Sequence, residues 1–180
     1  MLLGSRAFLL NDYPLGAPRS QGFFIGRISL RQGKAVSEDR ALSRILVALN
    51  DSCGGEKALE AAVKLAQQNG GRVTAVTVLE NTGIPCPDGL TEDVKVQARR
   101  HLEELLQTAV NFAHSRGVRL TPILREGHPA DAILTCAEEE KADILVLGAN
   151  SHDGDAGLGD TADQVSNYCP CTVLITRCAA

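Results

Sequence analysis

The sequence predicts an α/β fold: a doubly wound, five-stranded parallel sheet with helices on both faces. Three observations predict it. From residue 44 onward, five short apolar runs alternate with four amphipathic stretches at helical spacing, the order of a parallel sheet with crossover helices. The runs are apolar at nearly every position rather than at every second one, as strands covered on both faces require. Aromatic residues make up only 3% of the chain and Trp is absent, against 44% hydrophobic residues overall. The core is therefore aliphatic, built from Leu, Val, Ile and Ala. A length of 180 residues suits one such domain, large enough to fold without staples.

Each element has its own reason. Arg44-Ile45-Leu46-Val47-Ala48-Leu49-Asn50 is the first strand, and Asp51-Ser52-Cys53-Gly54-Gly55 is a loop with helix-start chemistry. Residues 56–69 place Ala58, Leu59, Ala62, Val63, Leu65 and Ala66 on one face, and Gly70-Gly71 supplies the stop. The second strand, 72–79, is rich in β-branched residues. A loop with Gly83, Pro85, Pro87 and Gly89 leads to a helix over about 92–115, whose apolar stripe runs from Val94 through Ala98, Leu102, Leu106 and Ala109 to Ala113. The third strand, 118–124, contains Pro122, which has no N–H to give and so places the strand at a sheet edge. Pro129 opens a third helix over about 129–141. The fourth strand, 142–148, is again uniformly apolar; a Gly-rich loop and a helix over about 160–168 lead to the last strand, 171–176. That strand is also read as a sheet edge, and pairing with a second copy is one way to cover it. Residues 1–43 show no sustained period and contain Pro14 and Pro18; they are read as a poorly ordered extension to a domain over 44–180.

Charge and cysteine usage exclude several functions. The net charge is −4, with +3 on residues 1–43 and −7 on the rest. A nucleic-acid surface wants a positive field and stacking aromatics, so no nucleic-acid partner is expected. No stretch approaches the ~20 apolar residues of a membrane span, and no membrane partner is expected. The six cysteines, at 53, 86, 136, 169, 171 and 178, follow no secretory leader and are read as reduced thiols of a cytoplasmic protein. Cys169-Pro170-Cys171 has one residue between its sulfurs and the four histidines are scattered, so no metal site is expected; a redox role is the other reading of that pair. Neither G-x-S-x-G nor H-E-x-x-H occurs, and no catalytic residue is assigned. His101 and His114 lie on the long helix and are read as facing solvent.

In a doubly wound sheet, ligands bind beyond the carboxyl ends of the strands, where the strand order reverses. The loops there are Asn50-Asp51-Ser52 and Gly148 to Gly159. These residues also carry a family resemblance. The run Ile45 to Ser52, the ending Val76-Thr77-Val78-Leu79-Glu80, the Gly127-His128-Pro129-Ala130 turn, Ala142 to Gly148, and Cys169-Pro170-Cys171-Thr172-Val173-Leu174-Ile175 together resemble the universal stress protein family over about 44–177. The resemblance implies a Rossmann-like sheet of order 3-2-1-4-5, a role in the stress response, and a homodimer through the last strand, 171–176.

It also implies a division between members that bind ATP and members that do not. The phosphate loop of the binders corresponds here to Gly148-Ala149-Asn150-Ser151, seven residues, then Gly159-Asp160-Thr161. Gly148 and Gly159 match. Ser151 stands where the family has its second glycine, the spacer is two residues short, and Asp160 replaces a small hydroxyl residue. Asp160 puts a carboxylate where phosphate would lie, and its own structural role is read as the N-cap of the following helix. Asn50 takes the place of the binders' acidic residue and can still hydrogen-bond a ribose hydroxyl or a base edge; Asp51 stands next to it and Ser52 completes that loop. Val78 matches a position whose backbone meets adenine. The candidate site is thus Asn50, Asp51, Ser52, Val78, Gly148, Ser151, Gly159, Asp160 and Thr161. No cofactor is certain; ATP or another adenine nucleotide is the one implied. The leading expectation is a non-enzymatic, dimeric stress-response scaffold with a degenerate nucleotide loop, and the alternative is a working adenine-nucleotide binder.

Overall fold

The computed structural model describes residues 42–80, 90–149 and 158–177. The extension read over 1–43 lies almost wholly outside the described residues, as do Ser151 and the loop that begins at residue 81. The element order is β1 (Arg44–Ala48), α1 (Cys53–Asn69), β2 (Arg72–Glu80), α2 (Leu90–His114), β3 (Leu120–Gly127), α3 (Pro129–Glu139), β4 (Ile144–Gly148), α4 (Asp160–Tyr168) and β5 (Thr172–Thr176).

All strand pairs are parallel, and the sheet order is β3-β2-β1-β4-β5. Both edge readings hold. β3 is an edge, with Pro122 opposite Ala75, and β5 is the other. The order reverses between β1 and β4, whose registers run Ile45↔Ile144 to Ala48↔Leu147.

Two core layers sandwich the sheet, because successive strand residues point to opposite faces. Ile45, Val47, Val73 and Ala75 pack with Ala58, Ala62, Leu106 and Ala109 of α1 and α2. Leu46, Val76, Leu145 and Leu147 pack with Ile133, Ala137 and Val165 of α3 and α4. The apolar stripe of α2 starts later than its sequence pattern promises. Val94 and Val96 are 62% and 57% exposed, and among the described side chains of the helix full burial begins only at Leu106.

The amino ends of the central strands are closed by an ion pair. The Asp143 side chain is only 4% exposed, and Arg44 donates to it through Nη2 at 2.9 Å and through its backbone N–H at 3.0 Å. Arg44 Nε at 3.4 Å and Ser43 Oγ at 3.2 Å add two more donors. Burial works to raise the Asp143 pKa. The hydrogen bonds and charge of Arg44, with that of Ser43, outweigh it and hold the carboxyl below its ordinary range.

Candidate functional site

The opposite end of the same strands is built differently. α1 begins at Cys53, three residues earlier than its apolar periodicity indicates, because Ser52 caps it. Ser52 has extended backbone and its Oγ accepts the Gly55 N–H at 3.1 Å. The same hydroxyl donates to Asn50 Oδ1 at 2.7 Å. One serine thus starts a helix and fixes the side chain at the end of β1. The Asn50 oxygen is engaged, which leaves its NH₂ as the end available to a ligand.

Gly148, the last residue of β4, lies against the first turn of α1. A Cβ at Gly148 would stand 2.2 Å from the Gly54 carbonyl carbon, so no side chain fits. Thr176, buried at the end of β5, turns its hydroxyl to Gly54 O at 3.2 Å and Leu147 O at 3.3 Å. α1 is thereby tied to β4 and β5 at the point where the sheet order reverses.

α4 approaches from the other side. Its N-cap is Gly159, at φ 80° and ψ 151°, with no side-chain cap. That conformation is essentially restricted to glycine. The reading of Asp160 as N-cap is therefore corrected: Asp160 is the first helical residue, and Asp163 joins it in the first turn. Both carboxylates stand at the positive end of the helix dipole, where a bound anion would otherwise sit.

Between these elements lies a cavity of ≈ 330 Å³, near the lower end of the roughly 300–1,000 Å³ of ligand pockets. Asn50, Asp51, Val78, Gly148, Gly159, Asp160 and Thr161 all line it. Ser52 does not line it and instead positions Asn50; Ser151 lies outside the described residues. The cavity also takes its wall from residues that sequence reasoning missed. Val76, Leu102, Ile133 and Leu147 make it apolar, and Glu80 adds an acid. Glu80 had a signal, as the residue that ends the second apolar run on the ligand side of the sheet. Leu102 and Ile133 had none, being indistinguishable in sequence from core positions.

His101 is exposed, as expected, but it is not free of the site. Its Nε2 lies 3.0 Å from Asp51 Oδ2, joining α2 to the loop after β1. Lys95 and Arg99 of α2 are both turned to Glu126, whose carboxyl they hold below its ordinary range. Among the described residues the thiols depart from expectation at one position: Cys53 is disulfide-bonded, whereas Cys136, Cys169 and Cys171 are free. Among the described residues, no cluster of three His, Cys, Asp or Glu side chains could hold a metal, and no helix is long and apolar enough to cross a membrane.

The model of the "Universal stress protein family" matches residues 42–177. The chain is 31% identical over 146 residues to universal stress protein YxiE of Bacillus subtilis, covering 75% of this chain and 99% of that one. Two solved structures share the fold. A universal stress protein from Archaeoglobus fulgidus in complex with dAMP has a TM-score of 0.56 at 23% identity, covering 76% of this chain and 99% of that chain. A universal stress protein family protein from Arabidopsis thaliana with AMP bound has a TM-score of 0.60 at 20% identity, covering 77% and 93%.

Proposed function

The chain belongs to the universal stress protein family, and we propose that it serves the stress response as a non-catalytic module whose cavity takes an adenine nucleoside or mononucleotide rather than a free triphosphate. The observation that carries this reading is the charge of the cavity wall. Asp51, Glu80 and Asp160 line it, and no Lys or Arg does among the described residues. The flanking segments 81–91 and 149–158 contain no Lys or Arg in sequence either. Like charges ~4 Å apart repel by about 1–4 kcal/mol between bulk water and a protein surface, so each added phosphate charge weakens binding. The apolar wall of Val76, Leu102, Ile133 and Leu147 suits a purine base, and the Asn50 NH₂ offers a donor to ribose or base. The AMP and dAMP held by the two structural neighbours support the same ligand class. The phosphate loop is thus degenerate toward triphosphate without the cavity being lost.

The protein is further proposed to pair through β5. That strand ends the sheet, and a second copy would satisfy its outer backbone groups.

Native mass spectrometry with added adenosine, AMP or ATP tests both points in one series of spectra. Without divalent cation, adenosine or AMP should occupy the protein at about tenfold lower concentration than ATP, the ratio that ~1.4 kcal/mol produces. Asp160→Asn should narrow that gap. ATP binding more tightly than AMP without metal would overturn the charge argument. No binding of any adenine ligand would leave a scaffold acting by dimerisation alone, and a monomer at micromolar concentration would remove that as well.

A further inference from the structure

The corner between α4 and β5 carries a second chemistry, independent of the cavity. Cys169 caps the end of α4 and Cys171 immediately precedes β5, with Pro170 between them. Across this corner the two sulfurs lie 3.4 Å apart. Both side chains pack against the core layer of α3 and α4 and both keep partial exposure. A disulfide bond is about 2.05 Å long, so the sulfurs, at 3.4 Å, already stand within about 1.4 Å of bonding distance. We propose that Cys169 and Cys171 are a thiol oxidation site that forms a reversible intramolecular disulfide on exposure to a hydroperoxide.

The two thiols are not equivalent. The hydrogen bond from Cys171 favours the Cys169 thiolate and lowers its pKa, against the opposing effect of burial. The same contact, with burial, pushes Cys171 up. Cys169 is therefore the attacking sulfur and Cys171 the resolving one. Cys169, having lost its proton to solvent, attacks one peroxide oxygen. The O–O bond breaks, Cys169 becomes a sulfenic acid, and hydroxide (or alkoxide) leaves. Cys171 gives its proton to that base and attacks the Cys169 sulfur. The S–S bond forms, the S–O bond breaks, and a second hydroxide leaves to be protonated by solvent. Two thiols together lose two electrons, and hydrogen peroxide is reduced to two waters. Cys136 offers a contrast within the same layer. It is wholly buried, and burial pushes its thiol up, so it should stay inert.

Trypsin provides a direct readout on the full chain. The peptide 142–177 contains Cys169 and Cys171 and no other cysteine, and no Lys or Arg interrupts it before Arg177. After brief hydrogen peroxide treatment, this peptide should lose two hydrogens, about 2 Da, and both alkylatable thiols, and a small dithiol should restore both. In Cys171→Ser, Cys169 should accumulate as sulfenic acid and react with a dimedone-type probe. In Cys169→Ser, labelling of the same peptide should fall about tenfold. Three results would overturn the proposal: two alkylatable thiols surviving peroxide that oxidises glutathione, a cross-link from this peptide to another cysteine, or an unlabelled Cys169 in Cys171→Ser. Adenine binding plays no part in the readout, so the test stands whether or not the cavity takes a nucleotide.

Discussion

At the amino ends of β1 and β4 the Asp143 carboxylate is clasped by Arg44 and Ser43, whereas at their carboxyl ends Asp51 and Asp160 face a cavity that no Lys or Arg lines among the described residues. The amino end also has the wider hollow, ≈ 510 Å³ against ≈ 330 Å³. Its walls are Ser43, Arg44, Gly70, Gly71, Arg72 and Arg119, with no apolar side chain to receive a base. The smaller cavity is lined by Val76, Leu102, Ile133 and Leu147, and lies where the sheet order reverses. Size alone is therefore a poor guide to which end binds a ligand. At one end the Arg44–Asp143 pair helps hold the fold together, while at the other Ser52 fixes Asn50, Gly148 and Gly159 let the backbone approach closely, and carboxylates stand beside the cavity.

The comparison breaks most severely at Gly148. Gly148→Val places side-chain atoms where even a Cβ would be 2.2 Å from the Gly54 backbone. We expect a loss of about 3 kcal/mol, at the upper end of ordinary overpacking, read as a lowered urea midpoint. Wild-type stability would show that α1 can move away from β4, and would separate the close approach from the cavity.

Asp143→Asn probes the paired end. Losing the charged partner of Arg44 should cost about 2 kcal/mol near neutral pH, within the range of hydrogen bonds to charged groups, with the ligand preference unchanged. The folded-state pKa of Asp143 is depressed, so its contribution is fully present above the unfolded value of about 3.9. It is lost as pH falls through the lower folded value. The stability gap between wild type and variant should therefore close below about pH 4. A gap that persists there would show that packing, not charge, makes the difference.

Ser52→Ala sharpens the contrast with the smallest effect. Loss of the cap should cost about 1 kcal/mol, and it also frees Asn50. Adenosine affinity should fall by more than global stability accounts for. Equal affinity in variant and wild type would show that the Asn50 side chain does not meet the ligand.

Much of this arrangement was legible in the sequence because the signals are local. Continuous apolar runs, the Gly70 stop, Pro122 and the Asp51-Ser52 turn each constrain a few neighbouring residues. The order β3-β2-β1-β4-β5 came from the family resemblance rather than from the pattern itself, since no local signal says which strands become neighbours. Errors fell where a tertiary choice overrides local chemistry. Asp160 has the side chain of an N-cap, but Gly159 reaches a backbone conformation that lets the chain enter α4 from the cavity wall. Val94 fits a helical stripe, but it and Val96 stay exposed in the folded chain.

Composition, alternation and turn chemistry alone therefore determined an aliphatic parallel α/β domain and the two loops at the carboxyl ends of its central strands. Only the tertiary structure decided that Leu102 and Ile133 would wall a cavity and that His101 would reach Asp51. It alone set the separation of the Cys169 and Cys171 sulfurs. The physical reason is that hydrophobic burial is non-directional, so a sequence pattern says that a residue is covered but not by what. A cavity, an ion pair or a sulfur–sulfur contact depends on ångström-scale distances between distant segments, which only the packed chain sets.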